Sequence, residues 1–222
     1  TGCTATGVVL GTPITNDNCI VASVTNDAPA FYPIGTTTVT WTVTDGSGNT
    51  ATCTQTVKVV DQTDPVAICK NITVNLNASG SATITAASVN NGSTDNCGIP
   101  TLSVSPSSFT CANIGANTVT LTATDAAGNV SYCSSTVTVV DNIPPTALCK
   151  PFTLNLNASG NATLLVADID NGSSDNCSGF TRSISKSSFN CSNRGTNTVI
   201  LTITDAGGNT ATCNAIVTVV DA

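Results

Sequence analysis

Histidine, glutamate and methionine are absent from this 222-residue chain; charged residues make up 9% of it and aromatics 4%. Each absence excludes chemistry. Without histidine or glutamate there is no Ser-His-Asp triad, no Cys-His pair, no glutamate pair for glycoside cleavage and no histidine metal site. All thirteen acidic residues are aspartates, and nine of them sit in turns or linkers that recur along the chain, which is a poor basis for one unique catalytic cleft. Six lysines and arginines against a net charge of −7 leave no basic patch for nucleic acid or an anionic membrane. No apolar run approaches membrane-spanning length. No Cys-x-x-Cys occurs, so the 11 cysteines read as disulfides rather than zinc ligands, which implies an oxidising, extracytoplasmic setting. Self-made isopeptide links are disfavoured because glutamate is missing and the lysines are few: Lys58, Lys70, Lys150 and Lys186. The chain opens on no secretion signal; residue 1 falls inside a repeat and Asp221-Ala222 stops where another would begin, so it is expected to be an internal piece of a longer protein.

What is there is a repeat. The stretch Asn117–Asn129, continuing through Cys133 to Asp141, returns as Asn197–Asn209 through Cys213 to Asp221, and stands earlier as Thr37–Asn49 through Cys53 to Asp61. In it Val119, Leu121 and Ala123 alternate with Thr118, Thr120 and Thr122, the period of a strand with one buried face. Asp-x-x-Gly-Asn then turns the chain, because glycine accepts a positive φ and Asp and Asn bond nearby backbone. A second alternating strand, with Val137 and Val139 on one face, completes a terminal hairpin. The spacing predicts three modules, 1–61, 62–141 and 142–222. Modules of this size bury a modest core and depend on staples.

The middle copy serves as template. Val66–Cys69 and Ile72–Leu76 read as a split first strand, Asn77–Gly80 as a turn, Ala82–Ala86 as the next strand. Thr101–Ser105 and Phe109–Cys111 are shorter strands, and the hairpin brings the count to about seven, the pattern of a β-sandwich. In the first copy Asn16–Cys19 matches Thr94–Cys97 and Phe31–Gly35 matches Cys111–Gly115, while the opening strand is missing. Trp41, the sole tryptophan, takes the inward place of Leu121 and Leu201 and is expected in the core.

These residues resemble the HYR (hyalin repeat) modules of immunoglobulin-like fold. The carrying motifs are Asp17-Asn-Cys19 and Asp95-Asn-Cys-Gly98, Phe31-Tyr-Pro-Ile-Gly35, the alternating Thr/Val strand, Asp45–Asn49 and Asp125–Asn129, and the linker Asp61-Gln-Thr-Asp-Pro65. Cys111 and Cys191 depart by standing where the family has an apolar residue, and the third copy reads Asp175-Asn-Cys-Ser178. The resemblance implies an extracellular spacer or adhesion module. The Thr/Asn-rich, lysine-poor composition is similar to that of long repetitive surface adhesins of gliding bacteria.

The expectation is therefore an all-β chain of tandem immunoglobulin-like β-sandwich modules arranged end to end as a rod. It would be a spacer or stalk segment of a secreted, surface-displayed adhesin or filament. Its partners would be neighbouring modules of the same longer chain, other copies in a fibre, or an extracellular surface ligand; no nucleic acid and no membrane insertion are expected. The alternative is a glycan- or protein-binding module acting through its loops, but no loop set is enriched in aromatics.

Two residue sets carry the site expectations. The cysteine that varies in place is paired with the constant Asp-Asn-Cys cysteine, giving Cys3–Cys19, Cys97–Cys111 and Cys177–Cys191. First strand then joins last strand through Cys69–Cys133 and Cys149–Cys213, and the partner of Cys53 would lie upstream of residue 1. The aspartates recur as Asp17/Asp95/Asp175, Asp45/Asp125/Asp205 and Asp61/Asp141/Asp221, and turn capping alone would explain many of them. Strand direction, however, gathers Asp61, Asp64, Asp95 and Asp125 at the first junction. It gathers Asp141, Asp175 and Asp205, with Asp168 or Asp170, at the second. Oxygen ligands clustered in this way suit Ca²⁺.

Overall fold

A computed structural model describes residues 2–221. The alternating segments form strands: β1 (Thr4–Thr6), β2 (Val21–Asn26), β3 (Phe31–Pro33), β4 (Gly35–Asp45) and β5 (Thr50–Val59) in the first copy. The second holds β6 (Ile72–Asn75), β7 (Ser81–Thr83), β8 (Thr101–Ser105), β9 (Ser108–Thr110), β10 (Gly115–Thr124) and β11 (Val130–Val140). The third holds β12 (Phe152–Leu156), β13 (Asn161–Thr163), β14 (Thr181–Ile184), β15 (Ser188–Asn190), β16 (Gly195–Thr204) and β17 (Thr210–Asp221). The chain is all-β apart from short turns of helix, and among the described residues no helix is long and apolar enough to cross a membrane. It divides into two compact units. One comprises Thr1–Cys69, Asn90–Ser103 and Leu121–Cys133; the other comprises Lys70–Val89, Val104–Thr120 and Ser134–Ala222.

The third copy lies wholly in the second unit and displays the architecture. Its sheet runs β12-β17-β16-β14, and β13 pairs with β15 to form the opposing layer. The long hairpin β16–β17 is antiparallel from Gly195↔Val219 to Thr204↔Thr210, while β12 lies parallel to β17, Phe152 opposite Val217. Inward side chains of both layers meet: Val199, Leu201 and Ile203 from β16, Val217 and Val219 from β17, Leu154 from β12 and Phe189 from β15 form one cluster with Leu164 and Ile169. The threonines between them point out and satisfy the strands' solvated face. The second copy repeats the order as β6-β11-β10-β8 with β7-β9.

Three local readings change. Val66–Cys69 makes only isolated bridges, Val66 to Thr94 and Cys69 to Asn90, rather than a strand. Ala86 belongs to a one-turn helix, α1 (Ala86–Val89), repeated as α2 (Val166–Ile169), which buries Val89 and Ile169. Cys111 and Cys191 fall not in strands but in single 3₁₀ turns, Cys111–Asn113 and Cys191–Asn193.

The first copy differs in two ways. Its sheet has three strands, β2-β4-β5, and among the described residues nothing pairs with the free edge of β5. Cys53 is accordingly exposed, and Val57 and Val59 are only half-buried, whereas Val137 and Val139 are fully buried. The copy is also three residues shorter between β3 and β4, because it lacks the 3₁₀ turn. Register shows this directly. Ala5 faces Tyr32 as Ala82 faces Phe109, and Tyr32 and Phe109 are both buried. Tyr32 therefore replaces Phe109, correcting the match of Phe31–Gly35 to Cys111–Gly115. Cys3, preceding Thr4, stands where Gly80 precedes Ser81. Trp41 lies in the core, 6% exposed, its indole N–H donating to Gln55 at 3.1 Å.

Candidate functional site: the junction clusters

The Asp-Asn-Cys loop and the Asp-x-x-Gly-Asn turn of one copy meet the last strand of the copy before it. At the first meeting, in the first unit, Asp61, Asp95 and Asp125 bring carboxylate oxygens within 4.8 Å of one another. Asp61 leaves β5, Asp95 leads its loop, and Asp125 opens the β10–β11 turn. Local bonds fix each one. Asp125 accepts the backbone N–H of Asn129 at 2.8 Å and its side-chain amide at 2.7 Å. Asp95 accepts the Cys97 N–H at 2.8 Å, and Asp61 accepts the Thr63 N–H at 3.0 Å. The same Asn129 amide reaches the Asp61 carbonyl at 3.1 Å, fastening one copy to the next.

One oxygen of Asp61 and one of Asp95 remain buried with no hydrogen-bond partner. They border a cavity of about 40 Å³ lined also by Ile34, Gly98, Ile99 and Asp125. Bare carboxylates this close repel, and a buried unpaired oxygen is costly, so the cluster is suited to a cation. Burial pushes the Asp125 carboxyl up, but the Asn129 side-chain and backbone bonds, with the Gly128 and Ala127 amides, outweigh it and hold it below its ordinary 3.8. Asp125 is therefore anionic at neutral pH.

At the second meeting, in the second unit, Asp141 and Asp175 are gathered with the sulfur of Cys177. That sulfur is committed to a disulfide, which leaves two carboxylates. The Asn176 amide lies 3.2 Å from both oxygens of Asp141. One oxygen of Asp175 and the Asn176 side-chain oxygen are buried without partners. Asp205 is buried behind them, accepting from Asn209, whose amide also donates to the Asp141 carbonyl at 2.9 Å.

The remaining sequence candidates lie elsewhere. Asp64 is exposed in the linker. Asp168 caps α2, accepting the Leu165 N–H at 2.8 Å. Asp170 accepts the Ser173 N–H and pairs with Arg182 at 2.8 Å; burial raises its carboxyl, but the Ser173 bonds and then Arg182 bring it below 3.8. Asp168 and Asp170 each find a donor within three residues, and Asp170 a second partner on β14.

The cysteines give the sharper correction. Cys69 joins Cys133 and Cys149 joins Cys213, each from the bridged segment before the first sheet strand to the last strand of the same copy. Cys97, however, joins Cys3 rather than Cys111, and Cys177 joins Cys111 rather than Cys191. Cys19, Cys53 and Cys191 are free and exposed. The variable and constant cysteines do pair, but across the junction. Cys111 lies at the trailing end of its copy and Cys97 at the leading end, so the partner of each belongs to the adjacent copy. The variable cysteine moves along the sequence while its sulfur stays put. A Cβ on Gly80 would fall 2.6 Å from the Cys111 sulfur, so a cysteine in Gly80's place, as Cys3 is, delivers sulfur to the same spot. Cys3 sulfur lies 3.0 Å from the Asn96 carbonyl oxygen and Cys111 sulfur 3.7 Å from that of Asn176, the same loop atom in each junction.

Sequence reasoning passed over the asparagines that fasten the junctions, Asn96 and Asn176, Asn129 and Asn209. Their recurrence beside the aspartates was the available signal.

Comparison with known proteins adds the following. The model of the HYR domain family matches residues 1–59. Hyalin of Strongylocentrotus purpuratus is 35% identical over 156 residues, 65% of this chain and 13% of hyalin. Hyalin of Lytechinus variegatus is 30% identical over 162 residues, 69% of this chain and 31% of that protein. The chain thus spans less than a third of the length of either relative. Among solved structures, Drosophila N-cadherin EC1-4 aligns over 87% of this chain and 60% of its own, at 11% identity and a TM-score of 0.38. The protocadherin GammaB4 extracellular domain aligns over 83% and 37%, at 15% identity and a TM-score of 0.36.

Proposed function

The chain carries tandem HYR modules, and from that premise we propose that it is an extracellular, adhesion-type spacer: a stalk segment of a secreted, surface-displayed adhesin or filament. One observation carries the reading. Each copy is bonded covalently to its neighbour at the junction, by Cys3–Cys97 and Cys111–Cys177. A loop that recognised a ligand would gain nothing from such a bond, whereas a load-bearing joint gains a link that does not slip. The modules 1–61, 62–141 and 142–222 are the units of the stalk, and their end-to-end order makes it a rod. The free volume beside Asp61, Asp95 and Asp125 and the unpartnered oxygens of Asp61 and Asp95 favour Ca²⁺ there, with Asp141 and Asp175 the weaker counterpart. Such an ion would cancel the repulsion of the carboxylates and stiffen the joint. The role is mechanical rather than catalytic, in keeping with a chain that lacks histidine and glutamate.

Two measurements test this. Small-angle scattering of the oxidised chain should give an extended particle; a compact globule sinks the stalk. Melting with millimolar Ca²⁺ should exceed melting with chelator, by about 2.7 kcal/mol at a hundredfold excess over the dissociation constant. An unchanged melting temperature leaves the aspartates as turn caps only.

A further inference from the structure

The carboxylate cluster at the first junction is built from both sides of it. Asp61 follows the last strand of the first copy, while Asp95 and Asp125 belong to the loop and the turn of the second. Asp61 is 8% exposed, and one of its oxygens has no hydrogen-bond partner. It borders the cavity of about 40 Å³ together with Asp95, which also carries an unpartnered buried oxygen. Neither copy supplies the set alone, so the affinity of the site depends on how firmly the two copies are held together.

The Cys3–Cys97 bond joins the same two copies and lies against the site. Cys97 itself lines the cavity. One oxygen of Asp95 accepts the Cys97 N–H at 2.8 Å, and its other oxygen is the unpartnered one. The Asn96 side-chain amide donates to the Cys97 sulfur at 3.0 Å and reaches the Asp61 carboxylate at 3.4 Å. The Cys3 sulfur in turn lies 3.0 Å from the Asn96 carbonyl oxygen. Three consecutive residues thus carry a carboxylate of the cluster, an amide that touches a second carboxylate, and a sulfur of the bond. Whatever fixes that sulfur also fixes the carboxylates.

The two events therefore share one cost. Gathering Asp61 against Asp95 and Asp125 is opposed by their repulsion, and the disulfide holds them gathered before any ion arrives. A cation turns the repulsion into attraction and so favours the arrangement in which the sulfurs are bonded.

We propose that the Cys3–Cys97 bond and the cation at Asp61, Asp95 and Asp125 are coupled, the bond raising the affinity for the ion and the ion protecting the bond from reduction. This rests on the calcium reading above and names the regulation of that site: the joint takes up its ion when oxidised and releases it when reduced. Reduction by glutathione adds two electrons and two protons, leaves Cys3 and Cys97 as thiols and releases glutathione disulfide. Linkage requires the same factor in both directions, on the order of tenfold for couplings of this kind.

The test uses the whole oxidised chain and Ca²⁺ alone. Calorimetric titration compares it with the double variant Cys3→Ser, Cys97→Ser, in which the Cys111–Cys177 and Cys149–Cys213 peptides confirm that the remaining fold is kept. The variant should bind Ca²⁺ at the first junction on the order of tenfold more weakly. A second arm needs no variant: the chain is equilibrated in glutathione buffers with saturating Ca²⁺ or with chelator, quenched by alkylation and mapped. The ratio of squared glutathione to glutathione disulfide that half-opens Cys3–Cys97 should rise with Ca²⁺ by the factor lost in the first arm. That for Cys149–Cys213, whose sulfurs belong to neither carboxylate group, should move less. Asp61→Asn should remove the effect of Ca²⁺ while the bond still forms. Equal Ca²⁺ affinity with and without the bond, or a half-reduction point that Ca²⁺ does not move in a chain that binds it, overturns the coupling and leaves the cation site standing. An oxidised chain that binds no Ca²⁺ removes the cation reading and the coupling with it.

Discussion

Removing the second junction's disulfide is the most discriminating perturbation. The variant Cys111→Ala with Cys177→Ala opens a crosslink between residues separated by 66 positions. In the chain-entropy treatment a loop of that size contributes on the order of 4 kcal/mol, mostly by restricting the unfolded chain. The Cys149–Cys213 staple spans 64 positions, so opening it should cost about the same, within ~0.1 kcal/mol on this reasoning. If the loss falls on a cooperative unit the size of one copy, it lowers the melting temperature by on the order of 20 °C. Calorimetry of both double variants reads the loss, with Cys191→Ala as the control expected to change nothing, since that thiol is unbonded. A Cys191→Ala variant that falls as far as the junction variant would mean that Cys177 pairs within its own copy, and the crossed junction would be refuted.

Gly80→Ala should impair the same bond, because its Cβ would lie 2.6 Å from the Cys111 sulfur and 2.8 Å from the Asn176 carbonyl at a φ of +67°; the yield of the Cys111–Cys177 peptide after refolding measures it. Leu201→Ala empties a fully buried site between the layers of the third copy and should cost about 2–5 kcal/mol in guanidinium titration. Asp61→Asn should raise stability in chelator, by relieving repulsion with Asp95 and Asp125, and should abolish any gain from Ca²⁺; a Ca²⁺ response that survives the change argues for a site elsewhere. Asp45 is held below its ordinary value first by the Asn49 side chain and then by its N–H, and Asp125 and Asp170 are also lowered. Folded values below unfolded ones give stability that is complete above the unfolded carboxyl value of about 3.9 and is lost as pH falls through the folded values. Thermal melts should accordingly be flat from neutrality to about pH 5 and decline below about pH 4.

Much of the fold was legible because it rests on local rules. The alternation through Val119, Leu121 and Ala123 specifies a strand and its buried face wherever it recurs, and the 80-residue spacing specifies the repeat. Trp41 could be placed inward from its equivalence to Leu121 alone. The aspartates at 61, 95 and 125 could be brought together from strand direction, because the ends at which turns fall follow from counting strands. What could not be read was which copy a cysteine answers to. Cys97 is nearer in sequence to Cys111 than to Cys3, yet each of the two bonds a cysteine of an adjacent copy. Nor could the three-residue shortening of the first copy be found by matching letters. Tyr32 takes the place of Phe109 through a hydrogen-bonding register with Ala5, and register is a property of two strands rather than one. The α1 and α2 turns escaped for a similar reason: Ala82 to Ala86 alternates well enough for a strand, but the segment must bend to bury Val89.

The crossed disulfides also bear on how such a protein can change length. Because the second copy takes a sulfur from the first through Cys3–Cys97 and lends one to the third through Cys111–Cys177, recombination that inserts or deletes a whole 80-residue period leaves each internal junction with both of its cysteines. A break at any other phase strands a thiol. A whole-period change therefore alters the reach of the array in fixed increments without leaving a junction half-bonded.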